Sequence, residues 1–126
     1  MTAINSVEVY DQFANEYDAW FEKHLNFYQS ELLAMKQAVP QHKKGIEIGV
    51  GTGRFAEPLH IKYGVEPSAG MSVLAKQRGV KVFNAVAEDL PIENQSYDFA
   101  TMITTVCFLN DIPRAFSEVH RILKPA

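Results

Sequence analysis

The sequence predicts one α/β domain, a parallel right-handed sheet preceded by two helices. Three observations lead there. From residue 45 onward, short apolar runs alternate with segments of helical period. The run Glu47-Ile48-Gly49-Val50-Gly51-Thr52-Gly53 stands directly behind the first apolar run, where a strand hands over to a helix. The 126 residues suffice for one core, because folding at this size removes roughly two-thirds of the unfolded chain's surface from water.

In chain order, Tyr10, Phe13, Ala14, Tyr17 and Phe21 recur at helical steps, which predicts an amphipathic helix over 7–21. A second helix is expected over 25–39, with Leu25, Tyr28, Leu32, Met35 and Val39 on one stripe, ended by Pro40. These helices form an N-terminal region over about 1–40, followed by an α/β core over about 44–126. The core reads as a strand over 45–48, the glycine loop, a short helix over 54–59 and a strand over 61–65. A helix over 68–78 closed by Gly79 and a strand over 81–85 follow. Residues 89–96 read as a loop, 97–103 as a fourth strand and 113–123 as a helix, with Asp111 and Pro113 suited to its start.

An apolar fraction of 47% with 21% charged residues is ordinary for a globular domain. The net charge of −3 leaves no basic footprint for nucleic acid, and no stretch approaches the roughly 18 apolar residues of a membrane span. Residues 1–6 have neither a cationic start nor an apolar run, so a cytoplasmic location is expected. Cys107 is the single cysteine and reads as a buried small hydrophobe. His24, His42, His60 and His120 form no close pair of metal-ligand type and read as surface or helix-face residues, so no metal site is expected.

In an open parallel sheet, ligands bind beyond the carboxyl ends of the strands. Four features fall there: the glycine loop, Glu66 at the end of strand two, Val86 to Pro91 after strand three, and Thr104 to Phe108 after strand four. Glu66 is an acid placed to accept hydrogen bonds from both hydroxyls of a ribose, the alternative being a solvated loop carboxylate. A dinucleotide fingerprint would need a glycine where Arg54 stands, which weighs against a nicotinamide-dependent oxidoreductase, and there is no phosphate-loop lysine motif. Glu47 beside the loop suits a ligand carrying an ammonium or sulfonium group rather than a diphosphate.

Four stretches in order resemble successive motifs of class I S-adenosylmethionine-dependent methyltransferases: Glu47 to Gly53, Gly64 to Ser68, Ala87 to Pro91 with Ser96 to Phe99, and Glu118 to Pro125. The opening Tyr10 to Asp18 resembles the N-terminal helix that closes over the cofactor in small-molecule members. The resemblance implies a Rossmann-like, mostly parallel sheet that binds S-adenosylmethionine, with S-adenosylhomocysteine as product and a small-molecule acceptor. It implies that Glu47, Gly49, Gly51 and Gly53 hold the methionine part, Glu66 the ribose, Ala87 and Glu88 the adenine edge, and that Thr104 and Thr105 line the methyl-donor pocket. Tyr10, Tyr17 and Trp20 are candidates for lid or acceptor contact, although aromatic stripes on helices are more commonly core.

Two places depart from the pattern. Many relatives carry an acid at the position of Val86 to accept from the adenine amino group, a task left here to Glu88 or a backbone carbonyl. Lys124-Pro125-Ala126 stands where relatives continue into further strands, so the usual last strands are expected to be absent and strand four to form an open edge. Such an edge predicts self-association through strand four, or a further C-terminal stretch that completes the sheet, and the sequence favours neither. It also keeps open a second reading, a shortened, non-catalytic binding or interaction module. Methyl transfer asks mainly for alignment of donor and acceptor, and no residue is singled out as catalytic.

Overall fold

The computed structural model describes residues 6–126, so the first five residues of the expected helical region lie outside the described residues. Helices α1 (Ser6–Lys23) and α2 (Leu25–Ala38) precede four strands, β1 (Gly45–Ile48), β2 (Tyr63–Val65), β3 (Lys81–Phe83) and β4 (Phe99–Thr101). Helix α3 (Ala69–Gln77) joins β2 to β3, and α4 (Ile112–Ile122) follows β4. The sheet order is β3-β2-β1-β4 with every pair parallel. The chain steps outward from β1 to β3 and then returns to the other side of β1, so strand order reverses between β1 and β4. A crevice opens there, at the carboxyl ends of the strands.

Strand β1 is buried along its whole length because helices cover both of its faces. Ile46 and Ile48 join Val65, Tyr97, Ala115 and Ile122 in the core on the α4 side. On the other face Phe21, Phe55, Ile61, Ala75 and Val80 form a second cluster, closed over by Tyr28, Leu32 and Met35 of α2. Helix α2 ends where Val39 turns extended, as a residue before proline must. Leu25, expected on the buried stripe of α2, is exposed. In α1 the buried line runs through Ala14 and Phe21, while Phe13 is exposed and its backbone leaves the helical range (φ −115°, ψ 24°). No helix among the described residues is long and apolar enough to cross a membrane.

Residues 54–59, expected as a helix, form a series of turns instead. Pro58 is the cause: it has no N–H to donate to the Arg54 carbonyl, which accepts from the Tyr28 hydroxyl on α2. The helix is thus traded for an anchor between α2 and the glycine loop. Strand four is also shorter than expected. The Asp98 and Phe99 N–H groups both point at the Lys44 carbonyl (2.8 and 3.4 Å), which takes Tyr97 out of the ladder with β1. Tyr97 pairs outward, donating to the Ile122 carbonyl (3.0 Å) and accepting from the Lys124 N–H (2.8 Å). Beyond that bridge, Phe99–Thr101 is the edge of the sheet among the described residues.

Candidate functional site

A cavity of about 420 Å³ fills the crevice where strand order reverses. Its floor is the glycine loop. Gly49 (φ +75°) turns the chain out of β1 so tightly that a Cβ there would overlap the Thr105 side chain. Gly51 (φ +59°) faces the cavity, and a Cβ on it would lie 3.4 Å from Met71 Cε and 3.9 Å from Tyr17 Cε1, narrowing the space between them. Gly53 does not line the cavity and lets the loop press on α3, where a Cβ would lie 3.2 Å from the Ala75 backbone.

Glu66 forms one wall. Its Oε1 accepts from the Gly51 N–H (2.9 Å) and its Oε2 from the Ser68 N–H (3.0 Å). Burial pushes its pKa up, and the two backbone donors counter that in part. Each carboxylate oxygen has a further lone pair, so the group retains acceptor capacity toward the cavity. Glu47 lies deeper, outside the lining, 2% exposed, with its Oε1 lacking a hydrogen-bond partner. Burial first, and the nearby Glu66 charge second, push the Glu47 carboxyl well above the usual carboxylate range.

The far wall comes from the segments after β3 and β4. Ala87, Glu88, Thr104 and Thr105 all line the cavity, as do Val86 and Asn110. Thr104 is held at φ +55°, a conformation that a β-branched residue adopts only under constraint. The Thr105 hydroxyl donates toward the Ile48 and Ile103 carbonyls (3.3 and 3.2 Å), tying this segment to the end of β1. Glu88 braces the same segment: its Oε2 accepts from the N–H groups of Asn110 (2.7 Å) and Asp111 (3.2 Å), and its carbonyl from Arg114 Nε (2.8 Å). Cys107, expected to be buried, is exposed, because residues 106–108 form a single 3-10 turn too short to have an inner face.

Helix α1 supplies the roof. The Tyr10 ring meets Tyr17 and Phe108 edge to face, each at 5.5 Å between centroids, closing the cavity between α1 and the segment after β4. Burial pushes the Tyr17 hydroxyl up to about 12, with the neighbouring acidic groups, Tyr10 first, adding to it, so it remains a neutral donor. Trp20 lies away from the cavity, stacked on His24 at 4.2 Å.

The roof is fastened by acids that the sequence analysis did not single out. Asp11 Oδ1 accepts from Ser68 Oγ (2.6 Å) and the Gly70 N–H (2.9 Å), at the start of α3. Asp18 takes both guanidiniums of the loop and α3: Arg54 Nε at 2.9 Å, and Arg78 Nη1 and Nη2 at 2.9 and 3.0 Å. Partial burial would raise the Asp18 pKa, but hydrogen bonds from Arg78 and Arg54 outweigh it and hold the carboxyl at about 2. Asp11, Ala14, Asp18 and Phe21 follow steps of three, four and three along one face of α1. Acids on a core-facing stripe were the available signal.

The lining includes no lysine or arginine among the described residues. With two carboxylates and three aromatic rings nearby, the cavity favours a ligand with positive charge and disfavours a diphosphate. Among the described residues, no group of three or more His, Cys, Asp or Glu side chains is placed to hold a metal ion.

Residues 46–126 match the family described as methyltransferase domain. The crystal structure of a SAM-dependent methyltransferase of Thermotoga maritima, a possible histamine N-methyltransferase, superposes with a TM-score of 0.88 at 52% identity, over 93% of this chain and 56% of that one. A methyltransferase-like structure from Methanococcus maripaludis, 19% identical with a TM-score of 0.77 over 90% of this chain and 59% of that one, shares the fold. An uncharacterized protein of Methanocaldococcus jannaschii is 42% identical over 94% of this chain and 57% of its own length. A 2-phytyl-1,4-naphtoquinone methyltransferase of Trichormus variabilis is 38% identical over 50% of this chain and 31% of its own. The chain spans about half the length of the curated relatives it matches.

Proposed function

Because the chain belongs to the class I S-adenosylmethionine-dependent methyltransferase family, we propose that its cavity binds S-adenosylmethionine and serves methyl transfer to a small-molecule acceptor. The observation that carries this reading is Glu66, a buried carboxylate tied to the Gly51 N–H at the edge of a cavity lined by no lysine or arginine among the described residues. The residues present fit such a ligand. Gly51 leaves room that a Cβ would fill, and Glu47 offers an unpartnered buried oxygen beneath the loop.

In this reading Gly49 and Gly51 seat the methionine part, with Glu47 below it and Gly53 shaping the loop from outside the cavity. Glu66 accepts from the ribose hydroxyls. Ala87 lies along the adenine edge, and Glu88 contributes chiefly by holding the segment that follows β4. When bound, S-adenosylmethionine supplies a methyl group on a sulfonium, a donor that already carries its own activation. The chain's task is then alignment and exclusion of water: Thr104 and Thr105 border the donor side, and Tyr10 and Tyr17 cover it. An amine is the first acceptor class to screen, on the strength of the Thermotoga maritima relative.

Calorimetric titration with S-adenosylmethionine and S-adenosylhomocysteine, with NAD as control, tests the reading. Saturable binding of the first two and none of NAD is expected. A folded chain that binds neither would refute it and favour a non-catalytic interaction module.

A further inference from the structure

Glu47 is the third residue of the central strand, in register with Gly64 on one side and Thr101 on the other. Gly64 has no side chain to offer it, and the Thr101 hydroxyl is itself buried and without a partner. Glu66 stands at the end of β2 and repels a negative charge on Glu47. From α1 comes Tyr17, whose hydroxyl is a neutral group. Arg54 and Arg78, the cations of the segments that follow the glycine loop and α3, are engaged by Asp18, and Arg54 by Glu22 as well. A carboxylate in that setting would be a buried charge without a counter-ion, which proteins avoid by keeping the proton.

We propose that Glu47 is the charge sensor of the cavity: a neutral acid while no cation stands at the glycine loop, and a carboxylate once a ligand ammonium arrives, so that binding releases the Glu47 proton to solvent. The inference rests on the proposed binding of S-adenosylmethionine, and it deepens that reading by naming the ligand feature the site detects. The proton balance is simple. One O–H bond of Glu47 breaks, the ligand keeps its ammonium protons, and the carboxylate and ammonium form the neutralised pair. Ligands that bring the ammonium bind more tightly as pH rises, by up to tenfold per unit while Glu47 is protonated in the free protein. A ligand with the same base, ribose and sulfur but no amino-acid part lacks the Glu47 release and senses pH only through Glu66, which burial also pushes up.

The test is calorimetry at pH 6 in buffers of different ionisation enthalpy, with S-adenosylhomocysteine and 5′-methylthioadenosine as probes. At that pH the ligand's α-amino group, with an ordinary pKa of about 7.7–8.0, is already protonated and contributes little to the count. Proton release by S-adenosylhomocysteine is expected to exceed that by 5′-methylthioadenosine, which shares only the Glu66 contact, by an amount approaching one. In Glu47→Gln, S-adenosylhomocysteine should still bind, without the excess. Binding of S-adenosylhomocysteine by the wild-type chain with no more proton release than 5′-methylthioadenosine overturns the sensor while leaving the cofactor site intact, as does an excess that persists in Glu47→Gln. If Glu47→Gln does not fold, the contrast between the two ligands on the wild-type chain decides alone. A folded wild-type chain that binds neither probe refutes both this inference and the function it rests on.

Discussion

Replacing Asp18 by Asn should cost this domain about 2–3 kcal/mol of stability, because one carboxylate holds two guanidiniums between α1, the glycine loop and α3. The magnitude follows from its acidity. A fall from 3.8 to about 2 means that the folded state favours the ionised form by roughly 2.5 kcal/mol at about 1.36 kcal/mol per pKa unit. Two features keep the loss below the 3–5 kcal/mol typical of a broken buried pair. The Asp18 side chain is 16% exposed, and both arginines retain a partner: Arg54 keeps Glu22 at 2.8 Å, Arg78 the Thr52 carbonyl at 2.8 Å. Urea unfolding at pH 7 should show a lower midpoint with an unchanged slope. The acid limb checks the cause. A carboxyl whose folded pKa lies below its unfolded value stabilises fully above the unfolded pKa and progressively less as pH falls through the folded one. The difference between wild type and Asp18→Asn should therefore narrow between pH 3.8 and about 2. A loss under about 0.5 kcal/mol, the scale of an exposed ion pair, would show that Asp18 does not fasten the roof.

Four further outcomes are expected. Glu66→Ala should stay folded and bind S-adenosylhomocysteine about ten- to a hundredfold more weakly, roughly 1.5–3 kcal/mol; an unchanged dissociation constant would remove Glu66 from the site. Gly49→Ala should lose about 2–4 kcal/mol in chemical denaturation, since the new Cβ meets Thr105 while the backbone stays left-handed. Tyr28→Phe strips the Arg54 carbonyl of its donor and should cost about 1–2 kcal/mol by the same measurement, with a neutral result showing that water replaces the hydroxyl. Self-association through the outer side of β4 should appear in sedimentation at high concentration, and a clean monomer there would mean that the edge is not a docking strand.

What could be read in the sequence is what depends on neighbours along the chain. Apart from the helix expected over 54–59, the order of strands and helices is a local pattern, as are the left-handed turns at the glycine loop and the acid that ends β2, and these lie where the spacing puts them. What escaped depends on partners far away in sequence. Asp11 meets Ser68, and Asp18 meets Arg54 and Arg78; nothing in the residues around Ser68 or Arg78 announces an aspartate on the first helix. Cys107 misled for a related reason. A free cysteine commonly packs as a small buried hydrophobe, but in this one-turn segment Cys107 is exposed while Phe108 turns to Tyr10. Pro58 is a local signal too: a proline at the fifth position of a six-residue helix removes one of the few hydrogen bonds such a helix could form.

These long-range pairs change what α1 is. An apolar stripe alone would make it a lid held by hydrophobic contact, free to slide or lift as a unit. Asp11 and Asp18 instead pin it at two points one on each side of Phe13, where the backbone leaves the helical range. Tyr10 rides on the segment held by Asp11, and Tyr17 on the segment held by Asp18. The Asp18 tie runs through partly buried groups, whereas the Asp11 tie is exposed at its Gly70 bond and therefore more readily exchanged for water. The Tyr10 side, which meets Phe108, is therefore the more weakly fastened, and Tyr17 lies near Gly51 on the firmer one. The half of the roof over the glycine loop is the half with the stronger fastening.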